Sequence, residues 1–189
     1  MLEDYGLLYR LTESGASPTI SVLAKSKELG EVPTFNTIGE IKGTSKANEY
    51  VMLSAHFDSW DGGTGATDNG TGTMVMMEAM RILKKVYPNP KRTILVGHWG
   101  SEEQGLNGSR AFVEDHPEIV NNLQALFNQD NGTGRIVNLS GSGYAKSKDY
   151  LGRWLSAVPG AYKDSIKTSF PGMPGGGGSD HASIVAAGA

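Results

Sequence analysis

The chain has 189 residues, a length that fits one domain with a sizeable hydrophobic core. Its 17 basic and 20 acidic residues are intermixed and give a net charge of -3, which argues against nucleic acid as a partner. Because the sequence has no cysteine and no apolar run of roughly 18 residues, it predicts neither disulfides, thiolate chemistry nor a membrane-spanning helix.

The first third of the chain predicts one helix followed by three strands. Apolar residues at helical spacing over Leu2–Glu13, with Gly15 as a stop, predict a short amphipathic helix. β-branched residues in partial alternation predict strands at 19–27 and 35–43. The more continuously apolar run from Glu49 to Ala55 predicts a third strand, in the centre of a sheet.

The remainder alternates between helical and strand-like segments. Residues 73–87 predict a deeply buried helix, because Glu78, Arg81 and Lys85 are spaced three and four apart and apolar residues cover most of the remaining circumference. The segments that follow are a strand at 92–100, a helix at 109–116, strands at 123–131 and 135–141, a helix at 148–158 and a short last helix capped by Ser179. This order predicts an α/β protein with a mixed, largely parallel central sheet and helices on both faces.

Polar clusters follow three of the predicted strands at the point where each strand ends. They contain the residues His56, Asp58, Asp68, Glu102, Glu103 and Asp130. Because ligands of open α/β sheets bind outside the carboxyl ends of the strands, we expect these side chains to meet in one crevice. So many carboxylates repel one another unless cations neutralise them. Imidazole and carboxylate ligands without sulfur suit zinc, and also manganese or cobalt.

Each cluster taken alone also has a structural explanation. An HxD pair is often an ordinary hydrogen bond, DNG a turn or cap, and EE a solvated charge pair. Their occurrence after successive strands favours the functional interpretation. His98 and His116 belong to no such cluster, and we interpret both as structural or surface histidines.

The segments HFDSWDGGTGATDNGTG, WGSEEQGLNGSRAF, NQDNGTG and GGGGSDHASIVAAG, in this order and spacing, carry a resemblance to a known family. From about residue 35 onward the sequence resembles the co-catalytic zinc exopeptidases of the bacterial leucyl aminopeptidase and glutamate carboxypeptidase type. Within that family, HFDSW is most similar to the plasma glutamate carboxypeptidase (carboxypeptidase Q) branch. The resemblance implies the zinc-exopeptidase fold, which is phosphorylase/hydrolase-like.

The resemblance also implies roles for individual residues. It makes His56 and Asp130 ligands of one metal, Glu103 a ligand of a second metal, and Asp68 the carboxylate that bridges the two. It makes Glu102 the general base that deprotonates a metal-bridged water.

Asp58 is predicted as a catalytic residue because of its spacing. It lies two residues beyond His56, so its carboxylate is expected to accept the second imidazole N–H and fix the tautomer.

The last motif contributes Asp180 and His181, to which we assign a substrate-binding or supporting role. Metal ligation is not transferred to His181, because the family's last ligand histidine lies in a later element. Trp60, Tyr144, Met173 and the glycines at 175–178 are candidates for the substrate pocket, and Asp61 has no assigned role.

The resemblance further implies that residues 1–189 are part of a catalytic domain. Residues 1–34 are expected to follow an N-terminal part and a protease-associated insertion, and the last strand, ligand-histidine loop and helix are expected beyond residue 189. We therefore expect one of the two zinc ions to be held tightly, and activity to be impaired. Relatives with this insertion imply a secreted or periplasmic protein.

The predicted function is hydrolysis of a terminal bond in a peptide or dipeptide. The choice between the amino and the carboxyl end, and the oligomeric state, stay open at this point. Two alternatives are a single-zinc enzyme similar to glutaminyl cyclase and a non-catalytic binding domain on the same fold.

Overall fold

The computed structural model describes residues 2–189, which form two units, residues 2–33 and 34–189. The first unit contains α1 (Leu2–Glu13), which confirms the helix predicted there. Glu3 and Asp4 lie in its first turn, where negative charge favours helix formation. The helix stops at Gly15, whose φ of +84° is readily adopted only by glycine.

The strand predicted at 19–27 is wrong. Residues 16–36 form neither helix nor strand, and residues 16–30 are exposed. A strand needs a neighbour to pair its backbone N–H and C=O groups. The partial alternation of this segment supplies no buried face that would bind such a neighbour.

The second unit contains most of the regular structure. Its elements are β1 (Thr37–Ile41), β2 (Lys46–His56), α2 (Gly70–Val86), β3 (Arg92–Trp99), α3 (Asn107–Asp115), α4 (Pro117–Val120), β4 (Leu123–Asn128), β5 (Asn138–Ser140), α5 (Ser147–Ala157), α6 (Gly160–Lys163), β6 (Lys167–Ser169) and α7 (His181–Ala186). Of these, the short elements α4, α6 and β6 were not predicted from the sequence.

Four strands form the main sheet in the order β1-β3-β2-β4. β2 pairs in parallel with both β3 and β4, while β1 is antiparallel to β3. β2 is therefore central, and the predicted mixed, largely parallel sheet is confirmed. A separate pair of short parallel strands joins β5 to β6.

Helices pack on both faces of the main sheet, as predicted. On one face Met76 of α2 packs against Leu53 and Val96. On the other face Phe112 of α3 and Ile184 of α7 belong to a cluster with the fully buried side chains of β2 and β3, Met52 and Trp99 among them. The alternation of apolar residues along β2 and β3 thus supplies both cores.

The prediction that the helix at 73–87 is deeply buried is wrong. Thr73 and Met76 are buried, but Met74, Val75 and Met77 have 72%, 53% and 57% of their surface exposed. Thr73 and Met76 are three positions apart and lie on the same side of α2, because a helix that packs on a sheet buries only the side that faces it. Among the described helices, none is long and apolar enough to cross a membrane.

Candidate metal centre

Three parallel strands end at the same edge of the main sheet and bring their following residues together. His56 is the last residue of β2, Glu102 and Glu103 follow β3, and Asp130 follows β4. Asp68 lies two residues before α2 begins. The crevice predicted from the sequence is therefore present at this edge.

The imidazole of His56 is the centre of the cluster. Its Nε2 lies 3.0 Å from Asp68 Oδ1 and 3.1 Å from Asp130 Oδ1, and the side chain is 1% exposed. Ligand atoms of His56, Asp68 and Glu103 all lie within 4.8 Å of one another. This compact group combines residues that the family resemblance divides between two metals.

Asp58 connects the β2 loop to the β3 loop in a different way from the one expected. Its backbone carbonyl lies 3.0 Å from His56 Nδ1, whereas its Oδ1 is 3.6 Å away. The carboxylate instead accepts the backbone N–H groups of Glu102 at 2.9 Å and Glu103 at 3.2 Å. The Asp58 carbonyl thus orients His56, and the Asp58 carboxylate positions the glutamate pair.

These contacts assign the tautomer that suits a metal ligand. When Nδ1–H donates to the Asp58 carbonyl, Nε2 is left to face Asp68 and Asp130. A proton on Nε2 would bond these carboxylates in the metal-free protein, and a bound cation would replace that proton. Cation affinity is therefore expected to fall at low pH.

Asn69 is a residue that the sequence reasoning overlooked. It is 1% exposed, its Oδ1 accepts the Gly72 N–H at the start of α2, and its Nδ2 donates to the Gln129 carbonyl at 2.8 Å. It therefore fixes the loop of Asp68 against the loop of Asp130. The DNG motif before a helical pattern is a recognisable N-cap and pointed to this role.

A hydrogen-bond chain ties the last loop to the sheet. Ser54 Oγ donates to Asn128 Oδ1 at 2.6 Å, and Asn128 Nδ2 donates to Ser179 Oγ at 2.9 Å. Ser179 was predicted to cap α7, but the cap position is Asp180, and its side chain makes no capping bond. The Ser179 side chain holds the loop against β4 instead.

Asp180 is 1% exposed, and neither carboxylate oxygen has a hydrogen-bond partner among the described residues. Burial raises its pKa to about 6, and the charges of Asp130 and Asp58 add to this, while the nearby Ser109 hydroxyl and His56 oppose it. The Ser109 hydroxyl also lies 2.9 Å from the Ser183 hydroxyl. Asp180 thus lies behind the cluster rather than in contact with solvent.

The remaining candidates from the sequence have different surroundings. His181 lines both a cavity of about 680 Å³ that starts at Asp130 and a cavity of about 310 Å³ that contains Tyr144. Trp60 and Met173 are exposed, as is Asp61. His98 is buried in β3 and His116 is half-exposed, in accordance with their interpretation as structural and surface residues.

The electrostatics of the cluster indicate an excess of negative charge. Burial raises the pKa of Glu102 to about 7, and neighbouring carboxylates add to the effect while His56 opposes it. Burial likewise raises the pKa of Glu103, with the Asp68 charge adding to it. Burial lowers the pKa of His56, but Asp130 and Glu102 outweigh it and leave the pKa raised.

The residues present fit a divalent cation. Glu103 Oε1 is buried and has no hydrogen-bond partner in the described chain, so it has a free acceptor position inside the cluster. One imidazole and several carboxylates without thiolate form a donor set that binds zinc well. A cation would neutralise the charge that raises these pKa values.

The fold and the cluster together define a class: α/β proteins with a candidate imidazole–carboxylate metal site at the strand ends. The chain belongs to peptidase family M28, whose sequence profile matches residues 36–189. It is 32% identical over 157 residues to carboxypeptidase Q of Rattus norvegicus, an alignment that covers 83% of this chain and 33% of that protein. The chain thus spans about a third of the length of the curated relatives it matches.

Solved peptidase structures at 29% sequence identity share this fold. A peptidase M28 precursor from Shewanella amazonensis SB2B superimposes with a TM-score of 0.69 at 29% identity, covering 81% of this chain and 34% of its own. BSAP, a zinc aminopeptidase from Bacillus subtilis, gives a TM-score of 0.64 at 29% identity, covering 81% and 37%. The family resemblance inferred from the motifs is confirmed.

Proposed function

We propose that this chain carries the metal centre of a zinc-dependent exopeptidase. The observation that carries the proposal is the convergence of Asp68 and Asp130 on one nitrogen of the buried His56, at 3.0 and 3.1 Å. Membership of a peptidase family favours this function over a cyclase or a non-catalytic binding domain. The names of the relatives include both a carboxypeptidase and a zinc aminopeptidase, so the family alone leaves the end of the peptide open.

Four residues hold the cations in this proposal: His56, Asp68, Asp130 and Glu103. Bound zinc supplies Lewis acidity, which polarises a peptide carbonyl and makes water more acidic. The contact of His56 Nδ1 with the Asp58 carbonyl orients the imidazole. Asp68 is positioned by its neighbour Asn69, whose side chain caps the start of α2.

Glu102 is the proposed general base. It takes a proton from the attacking water and delivers it to the leaving amine, so the same carboxyl serves both steps. The Asp58 carboxylate accepts the backbone N–H groups of both Glu102 and Glu103 and so holds the two residues at one support. Asp58 therefore acts as a positioning residue.

The test is Glu102→Gln, with Glu114→Gln as a matched control at an exposed position of α3. Each protein is loaded with zinc, manganese or cobalt and assayed on aminoacyl-nitroanilides and dipeptides. We expect Glu102→Gln to lower kcat by roughly 10²–10⁴-fold with unchanged metal content, and Glu114→Gln to leave kcat unchanged.

Two results would count against the proposal. Full turnover in metal-loaded Glu102→Gln protein would remove Glu102 as the base. If the loaded parent protein released no amino acid from any substrate above the background of zinc alone, the exopeptidase function would be wrong. Release of a pyroglutamyl peptide would identify a cyclase instead.

A further inference from the structure

Residues 100–108, the glutamate loop, lead from β3 into the first turn of α3 and carry both Glu102 and Glu103. The two ends of this loop meet, because the Gly108 N–H donates to the Gly100 carbonyl at 3.0 Å. The positions of both glutamates therefore depend on how the ends of the loop are held.

The backbone of the glutamate loop needs support from its surroundings. Ser101 and Leu106 have φ values of +59° and +61°, in the left-handed region that side chains other than glycine adopt at a cost in free energy. Such conformations persist where surrounding contacts hold them in place. Contacts from other segments of the chain are thus part of what shapes this loop.

The side chain of Asn36, which lies just before β1, supplies such a contact at both ends of the loop. Its Oδ1 accepts the Gly100 N–H at 3.1 Å, and its Nδ2 donates to the Gly108 carbonyl at 2.8 Å. A backbone donor on one side and a backbone acceptor on the other define the orientation of the amide. Asn36 thus joins two residues that lie 64 and 72 positions away from it in sequence.

The close packing around Asn36 explains why both ends of the loop are glycines. A Cβ on Gly108 would lie 2.3 Å from Asn36 Oδ1, and a Cβ on Gly100 would lie 2.4 Å from Thr34 Oγ1. Neither glycine has a positive φ, so their small size rather than their backbone freedom is what residues 34–36 require. The contact between Asn36 and the loop is therefore built into three separate parts of the sequence.

Asn36 and Asp58 hold the glutamate loop at different places. The Asp58 carboxylate accepts the N–H groups of the two glutamates, and its backbone carbonyl orients His56, so Asp58 belongs to the metal centre. Asn36 bonds backbone atoms at the ends of the loop. Replacing Asn36 therefore removes neither a carboxylate nor an imidazole from the centre.

We infer that Asn36 is a positioning residue, which holds Glu102 and Glu103 in place by joining the two ends of the glutamate loop. The inference rests on the proposed exopeptidase function, in which Glu102 is the base and Glu103 a metal ligand. Asn36 acts through the loop and has no contact with the reacting atoms in this role. Because a displacement of about 1 Å at a reacting group can cost about 100-fold in rate, hydrogen bonds outside the centre are sufficient to control turnover.

The first test measures the loop in metal-free protein and does not depend on turnover. Amide hydrogen exchange is followed by NMR at Glu102 and Glu103, whose N–H groups bond Asp58 rather than Asn36. We expect Asn36→Ala to speed exchange at both amides by at least about tenfold, because the loop opens more often once its ends are released. Asn36→Asp keeps the shape of the side chain but loses the donor toward Gly108, and it is expected to have the same effect.

Two control variants separate this effect from a general loss of stability. Asn122→Ala removes a side-chain bond to the Glu118 carbonyl at an exposed position, and it is expected to leave exchange at the two glutamate amides unchanged. Ile41→Val truncates a buried side chain of β1, and it is expected to speed their exchange by less than about threefold. Parental exchange in Asn36→Ala, or equally fast exchange in Ile41→Val, would overturn the inference. If Asn36→Ala does not fold, Asn36→Asp decides the outcome.

The second test measures kcat and KM at saturating zinc on a substrate that the parent protein hydrolyses. We expect Asn36→Ala to lower kcat by about tenfold or more and to change KM by less than about threefold, since the displaced group acts on the chemical step. In a Glu102→Gln background the same substitution is expected to lower kcat by less than about threefold, because the base is already absent. A raised KM at unchanged kcat, or a further tenfold loss of kcat in the double variant, would contradict a positioning role.

The two tests also separate this inference from the proposed function. If the zinc-loaded parent hydrolyses no peptide, the exopeptidase proposal fails, while hydrogen exchange still decides whether Asn36 holds the two glutamates. If the parent is active and exchange at both glutamate amides is the same in parent, Asn36→Ala and Asn36→Asp, the positioning role is wrong and the exopeptidase function stands.

Discussion

Replacing Asp180 with asparagine is expected to stabilise the metal-free protein at neutral pH. The carboxylate is 1% exposed, has no hydrogen-bond partner in the described chain and lies among other acidic groups. Asparagine has nearly the same shape but no charge to desolvate. The change therefore isolates the electrostatic cost of this one group.

The size of the effect follows from the pKa of the group. Burial raises the Asp180 pKa from 3.8 to about 6 in the folded protein. Because the folded pKa is the higher one, its contribution to stability is fully present below pH 3.8 and is lost as the pH rises through about 6. The shift of about two units corresponds to roughly 3 kcal/mol of destabilisation at pH 7 and above.

Urea unfolding of metal-free protein between pH 4 and pH 8 measures this cost. We expect Asp180→Asn to be about 3 kcal/mol more stable than the parent at pH 8 and close to it at pH 4. At an m-value of about 2 kcal/mol per molar urea, the midpoint moves by roughly 1.5 M at pH 8. Asp61→Asn, at an exposed position of the β2 loop, serves as the control. A difference between Asp180→Asn and parent that does not change with pH would refute the reasoning, as would destabilisation at pH 8.

Two further results are expected. After zinc loading and dialysis, elemental analysis should find about one tightly held metal per chain, none in His56→Ala and an unchanged content in His181→Ala. Two tight metals, one of them lost in His181→Ala, would instead make His181 a ligand. Asn69→Ala should lower the free energy of unfolding, measured in urea, by about 2–4 kcal/mol, because it removes a helix cap and leaves buried groups unpaired. A loss below about 0.5 kcal/mol would contradict the coupling of the Asp68 loop to the Asp130 loop.

The elements that formed where predicted are those whose sequence pattern and tertiary environment agree. The run from Glu49 to Ala55 is apolar on both sides because β2 is covered by helices on both faces. The segment at 19–27 has similar residue types but acquires no neighbouring strand, so its propensity is not realised. In α2 the sequence has apolar residues around most of the circumference and indicated deep burial, yet the structure buries only the side that meets the sheet.

The contacts of the candidate site were also predicted only in part. His56, Asp68, Glu103 and Asp130 were predicted as a group, and the structure brings them together. The bond expected between the Asp58 carboxylate and His56 is not formed, because the chain bends after β2 and presents the carbonyl instead. No local pattern indicates that this carboxylate accepts two N–H groups from residues 44 and 45 positions away.

The sequence by itself determined which residues carry chemistry and that they follow strands of a parallel sheet. It did so because ligand types, glycine turns and apolar periodicity are local properties of the chain. Only the tertiary structure decided which atoms of these residues meet. It also decided that the buried Asp180 carboxylate has no hydrogen-bond partner among the described residues, and which residues line the cavity beside Asp130. These features depend on the packing of β4 against α7, and therefore on distances between segments that no short stretch of sequence encodes.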